Sequence, residues 1–117
     1  MKYFIILLLM TFLSSKSYGE WKQFYQNNIH ISYFDTETIK KNNDKVYVEI
    51  LTNYYSPESD YGILSAISSD VVDCKNGLFK IQLVTLYKKP MGKGKPSNSR
   101  NPNLGWHPIY YSKDQFC

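Results

Sequence analysis

The stretch Asp70-Val71-Val72-Asp73-Cys74-Lys75-Asn76-Gly77, followed by Leu78-Phe79-Lys80-Ile81-Gln82-Leu83-Val84-Thr85-Leu86-Tyr87, decides the fold. Its second half carries the strongest strand signal in the chain. It is rich in Leu, Ile, Val and aromatics and holds neither Gly nor Pro. Alternation places Phe79, Ile81, Leu83 and Tyr87 on one face, with Thr85 among them. The other face is mixed: Leu78, Lys80, Gln82, Val84 and Leu86. Asn76-Gly77 predicts a tight turn just before this strand. Asp70 and Asp73 read as solvated acids of that turn, since charged side chains sit mostly outside. Cys74 lies at the same turn, and Cys117 is its only partner outside the N-terminal segment and within it. The expectation is a central strand of a small antiparallel sheet, with a cystine tying the chain's end back to it.

Working outward, Trp21 to Tyr25 is a strand and Gln26-Asn27-Asn28 a turn. Ile29 to Phe34 alternates, with Ile29, Ile31 and Tyr33 on one side and His30 and Ser32 on the other. His30 is thereby expected at the surface. Asp35 suits the cap of a single helical turn, and Lys40 to Asp44 a polar hairpin turn. Lys45 to Thr52 is a second strong strand whose apolar face is Val46, Val48 and Ile50. A connection from Asn53 to Tyr61 holds Pro57 and three tyrosines, and Gly62 to Ser69 suits another strand. Lys88 to Gly105 is rich in Lys, Gly, Pro, Asn and Ser and reads as a long solvated loop. Trp106 to Tyr111 returns to strand character, with Pro108 favouring an edge. Ser112 to Cys117 suits a short helical turn capped by Ser112. Short polar joins favour an antiparallel meander. The fold class expected is therefore mainly β (α+β): one antiparallel sheet of about six strands and a short C-terminal helix tethered by a disulfide.

The N-terminus has the form of a secretory leader over residues 1–19. Lys2 supplies the positive start, Phe4 to Leu13 the apolar run, and Ser17-Tyr18-Gly19 the small residues before a cut at Glu20. That run is shorter than the roughly 20 residues a bilayer span needs, so no membrane span is expected after cleavage. No cysteine follows it to carry a lipid anchor. Residues 20–117 then form one domain of 98 residues with a modest core. Removing Lys2 and Lys16 from the 14 basic residues leaves 12 against 10 acidic ones, a net of +2. Such a balance gives no argument for nucleic acid as a partner. Two cysteines in an exported chain of this size predict one disulfide, Cys74–Cys117.

Chemistry is sparse. His30 and His107 are the only histidines, and a metal site needs three or four ligands at suitable spacing, so no metal or other cofactor is expected. A paired cystine leaves no thiolate to act as nucleophile. Gly92-Lys93-Gly94-Lys95 lacks the spacing of a phosphate loop. No acid, base or nucleophile constellation is legible, so the chain is not read as an enzyme. What remains is a local positive patch, Lys88, Lys89, Lys93, Lys95 and Arg100. Tyr87, Trp106, Tyr110 and Tyr111 are close in sequence. Cations interleaved with aromatics suit sulfated glycans, acidic protein segments or nucleic acid. The plain alternative is a solubilising loop. The candidate ligand-binding residues are Lys88, Lys89, Lys93, Lys95, Arg100 and Trp106.

Taken in order, several landmarks resemble the surface-adhesin protein E family of Gram-negative bacteria. They are Trp21, Tyr33-Phe34-Asp35, Thr38-Ile39-Lys40, Val46-Tyr47-Val48-Glu49 and Leu51-Thr52-Asn53-Tyr54. Then come Asp73-Cys74-Lys75, Tyr87, Met91-Gly92-Lys93-Gly94, Trp106 with Pro108, and the closing Cys117. The resemblance implies an antiparallel sheet with a disulfide-tethered C-terminal helix. It also implies an exported adhesin-like protein that binds host matrix or serum proteins such as vitronectin and laminin. Its location would be the periplasm, the outer-membrane surface or the medium. A periplasmic accessory or inhibitor protein, for example one blocking lysozyme, is the competing expectation. A net positive chain is poorly matched to basic lysozyme. Exposed edge strands leave a homodimer open to such a chain.

Overall fold

The computed structural model describes residues 19–58 and 61–117. The leader expected over residues 1–19 lies, Gly19 apart, outside the described residues. The chain forms eight strands: β1 (Trp21–Gln26), β2 (His30–Asp35), β3 (Lys40–Asn42), β4 (Lys45–Tyr54), β5 (Ser65–Asp73), β6 (Leu78–Tyr87), β7 (Pro96–Arg100) and β8 (His107–Pro108). All pairings are antiparallel. They build one curled sheet, a half-barrel, in the order β1-β2-β4-β5-β6-β7. β3 shares the edge of β4 with β2, and β8 shares the edge of β6 with β7.

β5 lies at the centre, and eight of its nine residues are buried. It runs through Asp70-Val71-Val72-Asp73, which the sequence reading assigns to a turn. Its ladders to β4 and β6 continue to Asp73, opposite Lys45 and Leu78. β-branched Val71 and Val72 fit that pleated, buried setting. The turn is compressed into Cys74–Gly77. Asp73 organises it, accepting from the backbone N–H of Lys75 (3.1 Å) and from the Asn76 amide (2.8 Å). Gly77 closes it at φ +66°, its N–H reaching the Asp73 carbonyl at 2.8 Å. That left-handed conformation favours glycine.

The alternation expected along β6 breaks at its middle. Ile81 stands opposite Asp70 and Leu83 opposite Ser69, so Gln82 is an unpaired bulge residue. A bulge shifts the face on which later residues fall. Phe79 and Ile81 therefore share a face with Val72 and Asp70. Leu83, Thr85 and Tyr87 share the other with Ser69, Ile67 and Ser65.

Both faces are covered. The first holds a core of Phe34, Val46, Val48, Ile50, Val72 and Phe116, with Phe24, Ile39, Phe79, Ile109 and Tyr111 against it. The second holds Leu51, Ile67 and Tyr87, with Trp21, Tyr33 and Met91. Asp35 ends β2 and is fully buried. It caps no helix. Its carboxylate accepts from the N–H groups of Glu37 (3.0 Å) and Gly19 (3.2 Å), folding the chain back between β2 and β3.

The C-terminal helix is not found. β8 is only two residues long, at the edge position Pro108 favours. The N–H of Ile109 then reaches the Gly77 carbonyl at 3.1 Å, and the chain turns onto the first face. Lys113–Gln115 makes a single 3₁₀ turn, and Ser112 makes no side-chain cap. A segment this short cannot offset the cost of helix nucleation. What holds it is the buried ring of Phe116 and the disulfide from Cys117 to Cys74, whose Cα atoms are 5.7 Å apart. The ring of Phe116 meets Phe24, Phe34 and Tyr111 edge to face, with centroids 5.1–5.2 Å apart. We call Ile109–Cys117 the strap.

The segment read as a solvated loop, residues 88–105, is also more ordered than expected. Its first part makes a 3₁₀ turn, Pro90–Gly92, packed on the second face. Its second part is β7, paired with β6 from Val84 to Tyr87.

Candidate functional site

Three of the expected cations converge. Lys88 leaves the end of β6, Lys95 precedes β7, and Arg100 ends β7. Together they line an open groove of about 890 Å³ at the Tyr54 end of the sheet. Leu86 and Ile63 contribute apolar surface, Tyr54 and Tyr61 contribute rings, and Glu58 is the acid among the lining residues. The pairing explains the convergence. Asn98 stands opposite Leu86 and Arg100 opposite Val84, so their side chains fall on one face of the sheet. A cross-strand hydrogen bond between the hydroxyls of Thr85 and Ser99 holds β7 to β6 from the other face.

The other three expected residues lie apart from the groove. Lys89 and Lys93 flank the 3₁₀ turn that covers the second face. The carbonyl of Lys89 accepts from the Ser65 hydroxyl at 2.6 Å, and that hydroxyl oxygen accepts from the Gly92 N–H at 2.8 Å. The Met91 N–H donates to the Asn53 side-chain carbonyl at 2.7 Å. Gly92 sits at φ +63°, where a Cβ would come within 2.7 Å of Ile67 Cδ1. The Met-Gly-Lys-Gly stretch is thus a packed clasp on the sheet. Trp106 lies at the opposite end, beside Lys45, whose ammonium is 5.4 Å from the ring centroid. Lys45 also faces Asp73 at 3.6 Å. The Asn76 side-chain amide, with smaller help from Lys45, holds Asp73 below the usual carboxylate range.

Sequence reasoning missed a polar interior on the first face. Asp70, 4% exposed, stands between Val48 of β4 and Ile81 of β6. Burial raises its pKa to about 7; the Ser68 hydroxyl opposes that shift and Glu49 adds to it. Asp70 Oδ1 and the Tyr111 hydroxyl are buried without a hydrogen-bond partner among the described residues. Tyr110 lies over the same region, its pKa raised to about 12 chiefly by burial, with Asp70 adding and a hydrogen bond to Ser32 opposing. His30 is not a free surface residue. It is half-buried between Tyr25 and Tyr54, with ring centroids 5.9 and 6.0 Å away, and desolvation lowers its pKa. No local signal marks these positions, because strand pairing brings them together.

A smaller depression of about 390 Å³ lies beside Glu37, Lys40, Tyr47, Glu49, Ser69 and Gln82. There Ser69 donates to the Glu49 carboxylate at 2.8 Å. Among the described residues no group of three or more His, Cys, Asp and Glu side chains is placed to hold a metal ion. Nor is any helix among them long and apolar enough to cross a membrane.

A curled antiparallel sheet, strapped by a disulfide and carrying an open groove lined by three cations, defines a small β protein. Residues 21–114 match the family described as Surface-adhesin protein E, and the chain belongs to that family. No curated protein and no solved structure matches the chain significantly. Membership suggests a non-enzymatic, adhesin-like binding protein and does not favour the inhibitor alternative. With the disulfide, it suggests an exported or surface protein.

Proposed function

We propose that the chain is an exported adhesin-like protein that binds a host matrix or serum protein through the groove at Lys88, Lys95 and Arg100. The single observation that carries the choice of surface is the convergence of these three cations, from separate positions in the chain, on one groove. Family membership supports the binding role. Removal of residues 1–19 on export fits the same reading, and the outer edge of β1, which has no strand partner among the described residues, is where a homodimer would pair.

The test is saturable binding of purified residues 20–117 to immobilised vitronectin, laminin and whole serum proteins. Charge reversal at Lys88, Lys95 and Arg100 should abolish binding, while reversal at Lys89 and Lys93 should leave it. No saturable binding to any of these ligands would remove the adhesive role. Undiminished binding by the triple variant would remove the groove.

A further inference from the structure

The groove is bounded on one side by β7 and on the other by Tyr54, Glu58, Tyr61 and Ile63. β7 is the last strand of the sheet, so among the described residues its outer edge has no strand partner. All five of its residues are exposed. A free edge presents a row of backbone donors and acceptors to which an extended chain can add. Pro96 lacks an N–H, so the usable ladder runs from Ser97 to Arg100.

Register determines what an added strand would meet. Residues paired across an antiparallel sheet share a face. Asn98 and Arg100 lie on the face of their partners Leu86 and Val84. Leu86, Asn98 and Arg100 line the groove. Alternate side chains of a strand laid outside β7 would therefore project to the groove side, with Lys88, Lys95 and Arg100 as their nearest charges. Among the described residues Glu58 is the one acid in that lining. Opposite charges placed across neighbouring strands stabilise the pairing, and like charges oppose it.

We infer that this groove takes an extended acidic segment of a partner protein, added as a further strand along the free edge of β7, with alternate carboxylates facing Lys88, Lys95 and Arg100. This rests on the binding role proposed above and names the chemistry of the partner. A sulfated glycan would meet the same cations but could not use the backbone ladder of β7.

The probe is a fluorescent octapeptide alternating Glu and Thr, titrated into purified residues 20–117. A Lys–Thr octapeptide and a heparin octasaccharide serve as comparisons. The expected result is saturable binding of the Glu–Thr peptide that weakens with salt, none for the Lys–Thr peptide, and new amide exchange protection confined to Ser97–Arg100. Lys95→Glu combined with Arg100→Glu should weaken it at least tenfold. Both residues are exposed, and an unchanged far-UV spectrum will show that the variant folds. Three results would overturn the inference: no saturable binding, binding without protection at β7, or binding of heparin alone. Adhesion to matrix-coated surfaces is scored in parallel. Adhesion without peptide binding defeats this inference and leaves the binding role standing; peptide binding without adhesion does the reverse.

Discussion

The two faces of the sheet are covered by different means. The first is closed by the chain's end, the strap, held by a cluster of edge-to-face rings and by a covalent bond. The second is closed by an internal turn, Pro90–Gly92, flanked by β6 and β7 and pinned by hydrogen bonds that its Met91 and Gly92 N–H groups donate to Asn53 and Ser65. Among the described residues the strap follows β8 and leads into no further strand, so ordering it costs more conformational entropy than ordering a turn between two paired strands. The disulfide supplies the second anchor. The turn needs only polar pins because the sheet already fixes both its ends. The groove cations Lys88 and Lys95 flank this pinned turn in sequence, which connects the cover of the second face to the placement of the candidate site.

The comparison breaks hardest at the cystine. Cys74→Ser with Cys117→Ser opens a loop closed across a separation of 43 residues, for which chain entropy predicts a loss of about 4 kcal/mol. Urea unfolding should report that loss, and the strap amides should lose exchange protection before the β4–β5–β6 ladder does. Equal loss of protection across both would show that the strap is not a separate unit.

The next effect comes from beneath the strap. Asp70 is raised to about 7 in the fold and lies near 3.9 when unfolded. Between those values the folded state holds a proton that the unfolded chain has released. The contribution of Asp70 to stability is therefore greatest in acid, falls as pH rises from about 4 to about 7, and is level above that. The drop is roughly 4 kcal/mol, the free-energy equivalent of moving a carboxyl pKa from 3.9 to about 7. The groups that act on Asp70 are Ser68, Tyr110 and Tyr111 on its own face and Glu49 on the other. Asp70→Asn should flatten this slope in urea titrations from pH 4 to 8. An unchanged slope would assign the pH dependence to another group.

Much of the sheet is legible in the sequence because its signals are local. Val46, Val48 and Ile50 alternate as a half-buried strand must, and Asn76-Gly77 has the chemistry of the turn it makes. The failures have one cause, which is that tertiary pairing overrides local preference. Pro96-Ser97-Asn98-Ser99-Arg100 has no strand composition and becomes β7 only because β6 offers an edge. Gln82 looks like any polar strand residue, and nothing near it signals a bulge. Asp70 contradicts the rule that acids lie outside, since its burial depends on a strap more than 35 positions away in sequence. The candidate site divides the same way. Its cations form a visible basic run, but their sorting between groove and clasp depends on the turn at Gly92. Tyr54 and Tyr61 reach the groove from a separate connection.

That turn gives a smaller effect. Gly92→Ala puts a Cβ 2.7 Å from Ile67 Cδ1 at a positive φ. The left-handed conformation alone costs an L-residue roughly 1–2 kcal/mol, and the contact adds to it, so a loss of about 2 kcal/mol is expected in urea. The turn should lift and move Lys88 and Lys95. Any ligand of the groove should then weaken, although residue 92 does not line it. Retained affinity at reduced stability would separate the clasp from the site.

The smallest effect belongs to a single pin. Asn53→Ala removes the acceptor of the Met91 N–H. A lost hydrogen bond costs about 1 kcal/mol net when the freed donor can still reach water, and this turn lies at the surface, with Met91 half-buried. Ser65 makes the stricter comparison, because its hydroxyl donates to the Lys89 carbonyl and accepts from the Gly92 N–H at once, and the residue is fully buried. Ser65→Ala should therefore cost more than Asn53→Ala, toward 2 kcal/mol, since it leaves two backbone groups unpaired rather than one. Urea midpoints of the two variants measured side by side decide the matter. Equal losses would mean that the packing of Met91 against Leu51 and Ile67, rather than the polar pins, holds the second face closed.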